Sequence, residues 1–160
     1  MKSALRAMSE ESRNRFTFWL GLVGQKNDDG WIKYVVPLVN EDWPRERQFR
    51  TSGSVKAWIR LLDDTGDDFP AVYEAVKKFL VPIETDDYSF YRFTRKVNEG
   101  EPITTRFPIE TLDLIHRVTP NGLSRLPYEL PKILALISEV EPSLTSDYRY
   151  LRLIDLLEHC

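Results

Sequence analysis

Hydrophobic residues recur at intervals of three and four along most of this chain, the spacing that predicts amphipathic helices. Between residues 55 and 62, for example, Val55, Trp58, Ile59 and Leu62 fall on one side of a helix. Five further apolar sets have this spacing: Phe16, Trp19, Leu20 and Val23; Val72, Val76, Phe79 and Leu80; Leu112, Leu114, Ile115 and Val118; Leu130, Ile133, Leu134, Leu136, Ile137 and Val140; and Tyr150, Leu151, Ile154 and Leu157. The sequence therefore predicts an all-α fold.

Capping and breaking residues set the expected ends of these helices. Ser9, followed by two glutamates, predicts the start of the first long helix, which Gly24 and the polar cluster 27–30 should end. Gly66 predicts the end of the helix around Trp58. Asp67 and Asp68 are expected to cap the next helix.

Two segments can be interpreted in more than one way. Residues 31–39 are rich in strand-forming side chains, but Pro37 removes a backbone donor, which favours a helix that is kinked or restarted there. Residues 84–96 contain Tyr88, Phe90, Tyr91 and Phe93, which fit a helix face or an alternating strand.

Phe-Pro pairs and closing prolines indicate an internal repeat. Phe69-Pro70 and Phe107-Pro108 each open an apolar run, and Pro44, Pro82 and Pro120 close successive copies at a spacing of 38 residues. This period is close to that of two-helix repeats of the HEAT and armadillo kind, in which neighbouring pairs stack to share a core. The alternative is an irregular helical bundle. In either case we expect residues 1–160 to form a single helical domain.

Composition narrows the classes of protein. An apolar share of 42% and a charged share of 29% are typical of a globular chain. The only cysteine, Cys160, excludes a disulfide framework, and no apolar run is long enough for a signal peptide or membrane span. We therefore expect a cytoplasmic protein that does not bind membranes.

Basic residues suggest one candidate binding surface, although the net charge of −3 gives no general attraction to nucleic acid. The first basic group lies in Arg45–Arg60 and the second in Arg92–Arg106. Aromatic residues interleave with the second group, as base stacking on a single strand requires. The candidate binding residues are Arg45, Arg47, Arg50, Arg92, Arg95 and Lys96.

Catalytic and metal-binding motifs are not evident. His159, Asp155 and Cys160 form a nominal ligand group, but exposed terminal residues are the simpler interpretation. Acidic clusters coincide with predicted helix ends, where they complement the helix dipole. We expect no catalytic residue, cofactor or metal site.

Scattered positions resemble a known type of protein. They are Trp43-Pro44-Arg45-Glu46-Arg47, Thr51, Gly66-Asp67, Phe69-Pro70, Leu80-Val81-Pro82, Arg106-Phe107-Pro108, Leu144 and Asp147-Tyr148-Arg149. Across residues 31–157 the chain resembles the C-terminal helical region of large bacterial phage-defence proteins, some of which carry a sirtuin-like NAD-consuming domain. The resemblance implies a helical accessory region of a longer bacterial protein and gives no catalytic residue.

Together these observations favour a protein-interaction or accessory module without its own catalytic activity. Its partner is expected to be another protein or a neighbouring domain of the same chain. A nucleic-acid-binding helical domain is the alternative.

Overall fold

A computed structural model describes residues 2–44, 52–82, 90–95, 100–120 and 126–159. Every regular element within these ranges is helical, so the predicted all-α class is confirmed. The chain divides into two compact units, residues 1–81 and residues 82–160, here called the N-terminal and C-terminal units. The single domain and the stacked repeat stay predictions.

The N-terminal unit contains four α-helices and several shorter helical turns among its described residues. The α-helices are α1 (Lys2–Ala7), α2 (Glu10–Lys26), α3 (Ser52–Asp63) and α4 (Phe69–Val76). Two π-helical turns span Trp31–Val35 and Leu38–Asp42, and two 3-10 turns span Gly66–Asp68 and Lys77–Phe79. Gly66 has a positive φ of 57°, a conformation that glycine adopts readily.

The segment around Pro37 is helical, as predicted. Pro37 itself has helical backbone angles. On both sides of it the hydrogen bonds have the i→i+5 spacing of a π-helix: Val36 N–H donates to the Trp31 carbonyl, and Trp43 N–H donates to the Leu38 carbonyl at 3.1 Å.

The core of the N-terminal unit is built on α3 and α4. The predicted α3 stripe of Val55, Trp58, Ile59 and Leu62 is completely buried, and Trp58 packs edge to face on Trp43 with ring centroids 4.9 Å apart. The predicted face of the α4 segment is also buried. In both segments the sequence contains one clear apolar stripe.

The predicted phase of α2 is wrong. Ser9 caps this helix as expected, accepting a hydrogen bond from Ser12 N–H at 3.2 Å. However, the buried residues of α2 are Thr17, Leu20, Gly21 and Gly24, while Trp19 and Val23 are exposed. Where a neighbour packs closely on the helix backbone the position must be a small residue, which apolar spacing does not detect.

Gly24 shows this close approach directly. A β-carbon at Gly24 would overlap the indole ring of the buried Trp31. Gly24 therefore lies inside α2 as a packing residue rather than at its end, and the helix stops at Lys26, directly before the predicted stop cluster 27–30.

The C-terminal unit contains α5 (Ile103–Arg106), α6 (Pro108–Val118), α7 (Leu130–Val140) and α8 (Tyr148–His159). 3-10 turns span Tyr91–Phe93 and Pro142–Ser146. The predicted apolar face of α6 is completely buried.

Two predicted faces in this unit need correction. On α7, Val140 is exposed and Leu136 is half-buried. On α8, the buried residues are Tyr150 and Leu153, whereas Leu151 is exposed. Because α8 has apolar residues on more than one side, their spacing in the sequence does not determine which of them are buried. Packing against α6 determines it.

Arginines join α8 to α6. The Arg152 guanidinium donates to the carbonyls of His116 and Thr119, at 3.3 and 2.7 Å, and so satisfies acceptors left at the C-terminus of α6. Arg149 donates to Asp113 of α6 at 3.2 Å and to Asp147 at 2.7 Å.

Candidate functional site: a groove beside α2 and α3

Only two of the six predicted binding residues lie in the described part of the structure. Arg45, Arg47, Arg50 and Lys96 lie outside the described residues. Arg92 belongs to the 3-10 turn Tyr91–Phe93, and Arg95 follows it, both with exposed side chains.

Among the described residues near these arginines, the aromatic side chains do not form a stacking platform. Phe90 and Phe93 are completely buried and pack edge to face with each other at a centroid distance of 5.3 Å. Tyr91 is exposed, but the Arg95 guanidinium lies 4.0 Å from its ring centroid and donates to its hydroxyl. Tyr88 lies outside the described residues.

The nominal metal group is not assembled within the described chain. No cluster of three or more histidine, cysteine, aspartate or glutamate side chains suited to a metal occurs there, and Cys160 lies outside it. His159 Nδ1 contacts its own helix, at 2.7 Å from the Asp155 carbonyl and 3.4 Å from the Asp155 carboxylate. Likewise, no helix of the described ranges is long and apolar enough to cross a membrane.

A charged cluster of His116, Arg149 and Arg152 lies between α6 and α8 and has a structural role. His116 packs edge to face on Tyr148, and burial, followed by the nearby Arg152, lowers the pKa of its imidazole. Arg149 and Arg152 are both engaged in the contacts that hold the two helices together. The contacts of both arginines therefore lie within the fold and support a structural role.

A groove runs along α2 and α3. It encloses about 600 Å³ and is open to solvent. Its walls include Phe18, Gly21 and Leu22 from α2 and Ala57, Arg60 and Leu61 from α3. The lining runs from residue 11 to residue 25 of α2, or about 20 Å at 1.5 Å per residue.

Gly21 leaves the groove open. Apart from Gly21, its two chain neighbours and the nearby backbone of α2, no described heavy atom lies within 4 Å of the position that a β-carbon at Gly21 would take. Glycine inside a helix costs roughly 0.5–1 kcal/mol relative to alanine. For Gly24 the Trp31 ring explains the glycine, but the described structure contains no side chain that explains it at Gly21.

Aromatic side chains line the outer edge of the groove. Phe18 and Trp19 are 65% and 61% exposed, and they pack edge to face with centroids 6.0 Å apart. Val23, one turn beyond Trp19, is also exposed. Thus α2 has two apolar sides. The N-terminal unit buries one of them and leaves the other, with Phe18, Trp19 and Val23, exposed.

Polar contacts fix the N-terminal end of the groove. The Ser54 hydroxyl, in the first turn of α3, donates to the Glu10 carboxylate at 2.7 Å and lies 3.1 Å from the Asn14 amide oxygen. The first turns of α2 and α3 are therefore side by side. On the rim, Arg15 and Glu11 form an ion pair at 2.6 Å, with both side chains 76% exposed.

The groove was not predicted, because the spacing of apolar residues placed Trp19 and Val23 in the core. The sequence nevertheless contains a pattern that indicates a second apolar side of α2. Around residues 16–23 apolar side chains cover more than half of the circumference of α2, wider than the single stripe of a surface helix, a pattern typical of a helix covered by neighbours on more than one side.

Comparisons of the chain with protein-family models, curated proteins and solved structures gave no match. The resemblance to bacterial phage-defence proteins therefore stays a prediction.

Proposed function

We propose that this chain is a helical protein-interaction module and that the groove beside α2 and α3 is its docking site. The observation that carries this proposal is the second apolar side of α2, where Phe18 and Trp19 stand exposed beside an open groove. Burial of apolar surface contributes about 25 cal/mol per Å², so covering these two rings favours association.

The composition of the groove supports a protein partner. Aromatic side chains and arginine are enriched at the centres of protein interfaces, and Phe18, Trp19 and Arg60 border this groove. Its two walls are helices, and an amphipathic helix is a common occupant of such a groove. A polar rim, including Arg15 and Glu11, surrounds the apolar part.

Nucleic-acid binding through Arg92 and Arg95 has less support. Phe90 and Phe93, which a single-strand binder needs for stacking, are buried. The net charge of −3 also gives no general attraction to a polyanion. The proposal includes a role as an accessory region, in which the groove beside α2 and α3 binds a neighbouring domain.

The test is a binding titration with a protein that co-purifies with the tagged chain from its source cells and is then purified itself. Truncating an aromatic anchor costs 2 kcal/mol or more at an interface hot spot, so Trp19→Ser should weaken binding by roughly 30-fold. Tyr128→Ser is the matched control, since Tyr128 is 93% exposed and lies in the C-terminal unit. Equal affinity of the wild-type and Trp19→Ser chains would contradict the proposal.

A further inference from the structure

We infer that the occupant of the groove is a second copy of this chain, whose α2 lies antiparallel to the first α2 across a two-fold axis near Phe18 and Trp19. This inference rests on the proposed docking function and names its partner.

The charges of α2 are arranged for self-pairing. Glu10 and Glu11 occupy its first turn, Lys26 its last turn, and the exposed aromatic pair its middle. Glu11 and Lys26 are equally far in sequence from the midpoint between Phe18 and Trp19. In an antiparallel pair centred at that midpoint, each Glu11 faces Lys26 of the other copy.

A two-fold interface demands this reciprocity, because whenever residue i contacts residue j, residue j must contact residue i. The same centring places Phe18 of one copy opposite Trp19 of the other, twice. Glu11, Phe18 and Trp19 all border the groove. At about 100° of rotation per residue, Lys26 projects from the same side of α2 as these three positions.

The space above Gly21 provides room for the incoming aromatic rings. Gly21 lies within one turn of Phe18 and Trp19, and no heavy atom occupies the position of its missing β-carbon. Phe18 or Trp19 of the second copy can therefore enter the groove near the axis. In this arrangement the two α2 helices lie at the centre, and each is flanked by the α3 of its own copy.

Antiparallel alignment is also electrostatically favourable. The N-terminus of each α2 carries partial positive charge and the C-terminus partial negative charge, so opposite ends meet. An acidic or basic partner is less well matched, since the rim carries both signs, with Glu11 and Asp64 beside Arg15, Lys56 and Arg60.

Sedimentation analysis over a wide range of protein concentration tests the inference. The 18.8 kDa chain should sediment at twice that mass and dissociate on dilution. Trp19→Ser removes an anchor from both halves of the interface and should raise the dimer dissociation constant by about 100-fold or more.

Charge reversal tests the antiparallel register. Glu11→Lys places lysine opposite Lys26 of the second copy and should raise the dissociation constant about tenfold. The double variant Glu11→Lys/Lys26→Glu restores opposite charges and should recover most of the loss. Glu74→Lys is the matched control, because Glu74 of α4 is an exposed acid in an ion pair with Lys77 and its change should leave dimerisation unaltered.

Circular dichroism of each variant shows whether the helices remain folded. A wild-type chain that stays monomeric at all concentrations overturns the inference, and so does a dimer that Trp19→Ser leaves intact. A dimer that Glu11→Lys weakens, but that the second change fails to rescue, overturns the antiparallel register. A monomer that binds a different protein through Trp19 overturns the self-pairing while the docking function stands.

Discussion

Gly21 and Gly24 lie one turn apart on α2, and we predict that alanine has opposite effects at the two positions. At Gly21 the added methyl group meets no atom within 4 Å, so the main effect is the gain in helix propensity. That gain is about 0.5–1 kcal/mol in the free energy of unfolding. Gly21→Ala should therefore stabilise the N-terminal unit by this amount.

At Gly24 the same methyl group overlaps the buried indole ring of Trp31. Overpacking of this kind typically costs about 1–3 kcal/mol, and the closeness of the ring places Gly24→Ala towards the upper part of that range. After subtraction of the propensity gain, we expect a net destabilisation of about 1–2 kcal/mol.

Urea unfolding followed by tryptophan fluorescence measures this difference well. All four tryptophans, Trp19, Trp31, Trp43 and Trp58, belong to the N-terminal unit, so the signal reports that unit alone. Low protein concentration keeps self-association from contributing to the free energy. A Gly21→Ala chain that is less stable than wild type would refute the open space above Gly21, and a stabilised Gly24→Ala chain would refute the Trp31 contact.

Three further predictions concern the cores and the helix contacts. Trp58→Ala removes a completely buried ring and should cost about 3–5 kcal/mol, seen in the same urea titration; an unchanged midpoint would show that α3 is wrongly placed. Arg152→Ala leaves the His116 and Thr119 carbonyls without the guanidinium that donates to them, and should destabilise the C-terminal unit by about 1–3 kcal/mol, measured by circular dichroism. Arg117→Ala, which removes a half-exposed ion-pair partner of Asp113, should cost less. The hydrogen bond from Arg149 lowers the pKa of Asp147 to about 2, so Asp147 stabilises the folded state above its unfolded pKa near 4 and loses this effect as the pH falls towards 2. The stability advantage of wild type over Asp147→Asn should therefore be largest above pH 5 and shrink as the pH falls towards 2, and an advantage of undiminished size at pH 2 would contradict the ion pair.

The accuracy of the sequence-based fold depended on how many apolar stripes a helix carries. α3 and α6 each have one stripe, and every residue predicted to lie in it is buried. α2 and α8 have apolar residues on more than one side, so their buried face depends on which neighbouring elements pack against them. The close contact of Gly24 with Trp31 could not be predicted, because glycine adds nothing to a hydrophobic pattern.

The candidate site was less predictable than the fold. The basic residues were chosen for their charge and their neighbouring aromatics, but Phe90 and Phe93 are needed by the core of their own unit. The groove exists because Gly21 lacks a side chain and because α3 covers only one side of α2. Both are properties of three-dimensional packing, which residue spacing does not encode.

Photo-crosslinking at position 18 tests most directly whether this side of α2 is a docking site. A photoreactive phenylalanine analogue replaces Phe18, which is exposed beside the groove, and the tagged chain is irradiated in its source cells. The same analogue at position 128 is the control. We predict a discrete covalent adduct with one polypeptide, either a second copy or another protein, at position 18 and none at position 128. No adduct at position 18, or the same products at both positions, would contradict the account.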